Sequence, residues 1–176
     1  MPFDETSPAM RRLLARVDTA GIRETEIPEP MREALRGGWV RRGSGAYVLA
    51  AFARTPGGPY QDLVHEESTV NGRSMDDLDL PAAGPVREAA VLRRCIAYAR
   101  AALAGRPAGA ATAYVSLTLA GCDGPAPTGY VTLCGRYEGV RPYIRSVADL
   151  DDGSVAAGAL ERRPARGAMA GTHGPR

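Results

Sequence analysis

The chain contains no lysine: all of its 22 basic residues are arginine. This absence excludes enzymes that form a Schiff base with a lysine amine, and it excludes the phosphate-binding loop that depends on a lysine. Arginine can also mark phosphate recognition, because the guanidinium group binds phosphate through two parallel hydrogen bonds. However, the 20 acidic residues leave a formal net charge of only +2, which disfavours a nucleic acid as the partner.

Cysteine and histidine are scarce as well. The chain has three cysteines and two histidines, at Cys95, Cys122, Cys134, His65 and His173. A structural zinc site needs about four such ligands at characteristic spacings, and no CxxC pair is present. The aspartate clusters within 76–79 and 149–152 lack the spacing of a calcium loop. We therefore expect no metal and no cofactor, and we expect the thiols to be reduced and mostly buried.

Long hydrophobic runs are absent too. No apolar run approaches the roughly 20 residues that span a bilayer. Residues 1–12 are polar and lack the apolar core of a secretory signal, so we expect a cytoplasmic protein without a membrane partner. A length of 176 residues with 44% hydrophobic residues favours one domain that folds without disulfides.

One segment carries the clearest helical pattern in the sequence. Residues 86–104 contain neither glycine nor proline, and they lie between Gly84-Pro85 and Gly105, which are typical helix boundaries. At about 100° per residue, one face collects Leu92, Cys95, Ile96, Ala99 and Leu103. The pattern predicts one long helix that lies on a sheet.

Shorter helices and several strands surround this helix. Helical patterns cover 8–18, with Ser7 as the cap, and 29–36. Strands are predicted at 47–53, 60–70, 113–120, 130–139 and 143–147, with a weaker one at 151–159. The turn between the first two strands makes them a hairpin. This order predicts an α+β fold in which an antiparallel sheet packs on one long central helix.

The predicted elements divide the chain into three parts. Residues 1–37 form an N-terminal helical segment, residues 38–160 form the α+β core domain, and residues 161–176 form a disordered tail. A short sheet leaves open edges that need to be covered, so we expect a homodimer or a heterodimer.

In its element order the chain resembles the hot-dog fold, in which a curved sheet wraps one long helix. Hot-dog enzymes that dehydrate acyl thioesters have a histidine before the central helix and an acid on it. The resemblance implies a small biosynthetic enzyme or accessory subunit, either dehydratase-like or thioesterase-like. Its substrate would be an acyl thioester or a similar small hydrophobic or carrier-bound metabolite.

His65 and Glu88 are the candidate catalytic residues. Glu88 lies about 40° from Leu92 on the helical wheel, so we expect its carboxylate on the apolar face, where desolvation favours the protonated form. His65, the one histidine inside the predicted fold, is suited to general-base catalysis near neutral pH. The resemblance implies that His65 abstracts a proton and that Glu88 protonates the leaving hydroxyl. Alternatively, Glu88 only stabilises the helix dipole and His65 is an ordinary strand residue.

Two other functions stay open. A non-catalytic interaction module, such as half of a heterodimer or an immunity-type binding protein, predicts an exposed Glu88 and an exposed apolar patch. The segment Leu133–Val140 is similar to part of the bacterial tRNA guanine-N1 methyltransferases, where it helps to bind S-adenosylmethionine. That resemblance implies a divergent RNA methyltransferase with parallel strands. The strand directions beside the long helix therefore distinguish the alternatives.

Overall fold

The long helix α4 (Pro85–Gly105) lies at the centre of the fold. The computed structural model of the protein describes residues 3–75, 77–107, 109–119, 126–150 and 154–163. Gly84 precedes α4 with a φ of 95°, and Pro85 takes the first helical position, where no backbone N–H is needed. The predicted apolar face is buried throughout, which confirms the long helix.

A five-stranded sheet packs against α4. Its strands are β1 (Glu5–Thr6), β4 (Arg73–Ser74), β5 (Ala111–Thr118), β6 (Gly129–Gly135) and β7 (Val155–Arg162). They lie in the order β1-β7-β5-β6-β4, and every neighbouring pair is antiparallel. The predicted α+β fold with an antiparallel sheet on one long helix is therefore confirmed. Its likeness to the hot-dog fold stays a prediction.

Alternate residues of the strands face α4 and form the main core. Ala113, Val115 and Leu117 of β5 lie on this face and are fully buried. Gly129 of β6 approaches the helix so closely that a Cβ atom there would lie 2.6 Å from Val91 Cγ1. The absence of a side chain at this glycine thus allows the sheet to pack directly on α4.

The opposite face of the sheet is covered by α3 (Leu63–Asn71) and by the irregular chain that follows β6. Val64 of α3 and Val147 of the irregular chain pack there with Tyr114 of β5. The ring of Tyr143 contacts the Tyr114 ring, with the two centroids 5.6 Å apart. The strand predicted at 143–147 is wrong, because these residues are irregular and belong to none of the described strands.

A helix replaces the strand predicted at 60–70. α3 begins after Asp62, whose carboxylate accepts a hydrogen bond from the His65 backbone N–H at 2.8 Å. The hairpin instead pairs β2 (Trp39–Arg41) with β3 (Tyr47–Leu49). The strand predicted at 47–53 is therefore shorter than expected, because Ala50–Phe52 turns as a 3-10 helix.

Two short helices belong to the N-terminal part of the chain. α1 (Pro8–Leu14) is capped by the Ser7 hydroxyl, which accepts a hydrogen bond from the Met10 N–H at 3.1 Å. α2 (Glu29–Arg36) coincides with its predicted range, whereas α1 ends earlier than predicted. β1 directly precedes α1 and pairs with β7, so this part of the chain is joined to the sheet.

The last strand extends into the region for which the sequence predicts a tail. β7 continues past the weak strand predicted at 151–159, because it pairs with β5 along its whole length. Residues 164–176, most of the predicted tail, lie outside the described residues, as do residues 151–153. In the described ranges, no helix combines the length and the hydrophobicity that crossing a bilayer requires.

Candidate functional site

His65, the predicted general base, lies on the exposed side of α3. Its Nδ1 accepts a hydrogen bond from the backbone N–H of Gln61 at 3.2 Å, and its ring meets the Tyr60 ring edge to face at 5.6 Å. A neutral imidazole whose Nδ1 accepts a bond carries its proton on Nε2. Nε2 is therefore a donor in this arrangement, whereas a general base needs a nitrogen that accepts a proton.

Glu88, the predicted general acid, lies in the first turn of α4. Its side chain is only 14% exposed, in contrast to the exposed Glu88 that the interaction-module alternative predicts, and its Oε2 is 2.6 Å from a guanidinium nitrogen of Arg16. The ion pair connects α4 to the chain that follows α1.

The structure gives His65 and Glu88 separate partners. The side-chain contacts of His65 lie within 60–65, and the side chain of Glu88 contacts Arg16. Within the part of the chain that the structure describes, no hydrogen bond, ion pair or ring contact joins the two. α3 covers one face of the sheet and α4 covers the other. The catalytic role of the pair stays a prediction.

A buried polar cluster around Glu67 is a feature that the sequence analysis missed. The Glu67 side chain has no exposed surface. Its two oxygens accept hydrogen bonds from Tyr47 N at 2.6 Å, Gly135 N at 2.5 Å, Tyr137 Oη at 2.5 Å and Arg106 Nη2 at 3.1 Å. These donors come from β3, from β6 and the residues just after it, and from the residue that follows α4.

The cluster around Glu67 joins parts of the chain that are distant in sequence. Burial, together with the hydrogen bond to Glu67, raises the pKa of Tyr137, so the phenol stays protonated and donates to the carboxylate. Gly135 and Tyr137 belong to the segment Leu133–Val140, whose sequence is similar to part of the bacterial tRNA guanine-N1 methyltransferases. In this structure they hold Glu67 beside antiparallel strands, whereas the methyltransferase alternative predicts parallel ones.

Several of the remaining candidate metal ligands pair with arginine or lie outside the described residues. Asp77 pairs with Arg87, and Asp79 pairs with Arg94, which lowers the pKa of Asp79 to about 2. In the described ranges, no group of three or more histidine, cysteine or acidic side chains could hold a metal ion. The sequence positions that lie outside these ranges are Asp76, Asp151, Asp152, Cys122 and His173.

A groove runs along the outward side of α4, between α2 and the end of β7. Three cavities of about 380, 270 and 340 Å³ form it. The first and second cavities share Glu24 and Ala101, and the second and third share Arg100 and Ala104. The α4 groove is therefore continuous over about two turns of the helix.

The floor of the α4 groove is apolar and its rim is basic. The floor consists of Ile22, Ile27, Leu35, Ala97, Ala101, Leu103 and Ala104. The rim carries five arginines and one glutamate, namely Arg23, Arg32, Arg36, Arg100, Arg162 and Glu24. Arg32 and Arg36 also pair with Glu29.

The α4 groove thus joins apolar surface to basic side chains. Comparisons of the chain with protein-family models, with curated proteins and with solved structures found no match.

Proposed function

We propose that the protein is a non-catalytic interaction module that binds an acidic, amphipathic helical segment of another protein in the α4 groove. The observation that carries the proposal is the continuous apolar floor beneath a rim of five arginines. Apolar residues one turn apart on a bound helix would fill the floor, and acidic residues beside them would pair with the rim. Arginine is enriched in such interfaces, because its planar group makes several directed hydrogen bonds.

An acidic protein segment suits the α4 groove better than a nucleic acid does. Phosphate backbones are bound by positive charge along a surface, and an apolar floor contributes nothing to those contacts. The net charge of +2 is also small for a protein that binds nucleic acid. A segment with one apolar face and one acidic face uses both parts of the groove.

The C-terminal residues of the chain are a poorer occupant for the groove. Residues 164–176 follow β7, whose Arg162 lies on the rim, and they contain two arginines but no aspartate or glutamate. Their charge has the same sign as that of the rim, so the two would repel each other. A partner with acidic residues is therefore the occupant that we propose.

The acyl-thioester activity predicted from the sequence receives no support from the contacts around its two candidate residues. Nδ1 of His65 accepts a backbone hydrogen bond, and the carboxylate of Glu88 pairs with Arg16. If the protein turns over an acyl thioester, and a folded Glu88→Gln variant loses this activity, the enzyme would become the favoured function.

A designed helical peptide of about 18 residues tests the proposed function. It carries leucine on one face and glutamate on the other. One control peptide has the same composition in scrambled order, and another has lysine in place of glutamate. Fluorescence anisotropy measures binding to the full chain at about 0.1 M and about 0.5 M salt. We expect the acidic amphipathic peptide to bind most tightly, and we expect its binding to weaken at the higher salt concentration.

Variants of the groove locate the binding. Ala101→Glu on the floor and Arg100→Glu on the rim should each weaken binding by about tenfold or more, because both place a negative charge against the peptide. Arg12→Glu on α1, which does not line the groove, is the matched control and should bind as the unmodified protein does. Equal binding of all three peptides, or unaltered binding by Ala101→Glu, would contradict the proposal. A dimer that blocks the peptide would identify a second copy as the occupant.

A further inference from the structure

One wall of the α4 groove is built from a segment that contains neither α-helix nor strand. This wall segment, residues 18–27, lies between α1 and α2 and includes one short 3-10 helix, Glu24–Glu26. It supplies four of the residues that line the groove, namely Ile22, Arg23, Glu24 and Ile27. A segment of this kind has few backbone hydrogen bonds of its own, so its position depends on contacts with the rest of the fold.

Arg93 of α4 contacts the wall segment at three points. Its Nε and its Nη2 each lie 2.7 Å from an oxygen of the Glu26 carboxylate, so the ion pair is bidentate. Its Nη1 donates to the carbonyl oxygen of Asp18 and, at 3.4 Å, to that of Ala20. The side chains of Arg93 and Glu26 are 24% and 23% exposed, so solvent screens the pair only in part. One guanidinium group thus holds both ends of the wall segment.

Arg93 does not itself line the groove. It precedes Ala97 of the groove floor by four residues, about one turn of α4. The neighbouring Arg94 makes a comparable ion pair, because its Nη1 and Nη2 lie 2.7 and 2.5 Å from the two oxygens of Asp79. Neither Arg94 nor Asp79 lines the groove or belongs to the wall segment. The two pairs differ in what they hold, and this difference can be tested.

We propose that Arg93 is a positioning residue for ligand binding in the α4 groove, an inference that rests on the proposed function. It holds the wall segment against α4 and so fixes the distance between the wall and the floor before a ligand arrives. A preformed groove spares the ligand the cost of ordering this wall, and its affinity is higher for that reason. Without Arg93 the wall segment has to be ordered during binding, which lowers the affinity of the folded protein.

The affinity for the acidic amphipathic peptide tests this role. Arg93→Gln and its matched control Arg94→Gln remove the same charge from neighbouring positions on α4, so a general effect of charge on the peptide is shared by both. We expect Arg93→Gln to bind the peptide about tenfold more weakly than Arg94→Gln does. Fluorescence anisotropy of the full chain measures binding, and urea denaturation establishes that each variant is folded under the conditions used.

Glu26→Gln separates positioning from electrostatic attraction. This variant removes a negative charge, so attraction alone predicts tighter binding of an acidic peptide. Loss of the ion pair loosens the wall instead, and we expect binding to weaken by about threefold, since Arg93 keeps its bonds to two carbonyl oxygens. Asp79→Asn is the matched control, because it removes the same charge away from the wall segment. It should bind at least as tightly as the unmodified protein does.

Amide hydrogen exchange measures the wall segment directly. In the absence of peptide, we expect the amides of residues 18–27 to exchange faster in Arg93→Gln than in Arg94→Gln. The amides of β5 in the sheet should exchange at equal rates in the two variants. A change confined to the wall segment distinguishes local loosening from a loss of global stability.

Three results would overturn the proposal. They are equal peptide affinities of folded Arg93→Gln and Arg94→Gln, binding by Glu26→Gln as tight as that by Asp79→Asn, and equal exchange of the wall segment in the two arginine variants. All three leave the proposed function in place when the unmodified protein binds the acidic peptide in preference to its control peptides. Failure of the unmodified protein to bind that peptide would overturn the proposed function, and the role of Arg93 in binding with it.

Discussion

Glu67 and Arg106 form an ion pair that is closed off from solvent. Their side chains are 0% and 3% exposed, and Arg106 Nη2 lies 3.1 Å from both oxygens of the Glu67 carboxylate. The pair joins α3 to the residue that follows α4. Taking two charges out of water is costly, and the additional donors from Tyr47, Gly135 and Tyr137 offset part of that cost.

Removing one partner of this pair should be strongly destabilising. Glu67→Leu leaves the Arg106 guanidinium buried without its carboxylate, and we expect a loss of about 3–5 kcal/mol in the free energy of unfolding. Urea denaturation followed by circular dichroism measures it. Glu29→Gln, which breaks an exposed ion pair on α2, is the control and should change stability little. A Glu67→Leu variant as stable as the Glu29 control would contradict this account of the cluster.

The hydroxyl group of Tyr98 is predicted to contribute nothing to stability. Tyr98 is fully buried on α4, and its Oη has no hydrogen-bond partner among the described residues. Tyr98→Phe should therefore leave the free energy of unfolding unchanged or raise it by about 1 kcal/mol. Tyr137→Phe is the matched control and should lower it, because the hydroxyl of Tyr137 donates to Glu67. Equal losses in the two variants would show that Tyr98 Oη is in fact paired.

The sequence predicts most accurately those elements whose formation depends on residues close together in the chain. α4 has glycine and proline at its start and an apolar stripe on one face, and Ser7 caps α1 as predicted. α3 was missed because its buried face carries polar residues, including Glu67 and Asn71. The partner of Asn71 Oδ1 is the backbone N–H of Leu49, 22 residues away, so no hydrophobic period reveals the helix.

The candidate sites depend still more on tertiary structure. The sequence shows only an alanine-rich helix that includes Ala97, Ala101 and Ala104. These residues form the floor of a groove because α2 and β7 lie beside α4. Helical spacing of small residues next to Arg100 is the one signal that could have indicated this surface. Glu88 was expected on the apolar face, and its pairing with Arg16 depends on where the chain after α1 passes.

Gly129 should tolerate no side chain. A Cβ atom at this position would lie 2.5 Å from Cys95 Sγ and 2.6 Å from Val91 Cγ1, both on α4. Gly129→Ala would push the sheet away from the helix, and we expect a loss of about 1–3 kcal/mol. Thermal denaturation measures it, with Gly43→Ala as the control, because nothing lies within 4 Å of a Cβ atom there. Equal melting temperatures for the two variants would contradict the close packing of β6 on α4.

Stability should decrease at alkaline pH. Burial raises the pKa of the Cys134 thiol from 9.0 to about 12, and burial likewise raises the pKa of Cys95 and of Tyr137. Above the unfolded-state pKa the folded protein binds more protons than the unfolded chain does, so the free energy of unfolding falls as pH rises. Because the chain has no lysine, cysteine and tyrosine are the side chains that titrate in this range.

Denaturation with urea at several pH values between about 7 and 11 checks this prediction. We expect a constant free energy of unfolding up to about pH 8 and a progressive decrease above it. Alkylation by iodoacetamide provides a residue-specific control, because Cys95 and Cys134 should react slowly in the folded protein and readily in urea. A free energy of unfolding that stays constant or rises up to pH 11 would contradict the predicted effect of burial.

The α4 groove is tested most directly by mapping where an acidic amphipathic peptide binds. The peptide is titrated into isotopically labelled protein with all 176 residues, and the backbone amide shifts of every assigned residue are recorded. The account predicts that the largest shifts fall on Ala97, Ala101 and Ala104 and on α2, and that Arg100→Glu removes them. Shifts that fall elsewhere on the surface, or that persist in Arg100→Glu, would contradict the assignment of this groove as the binding site.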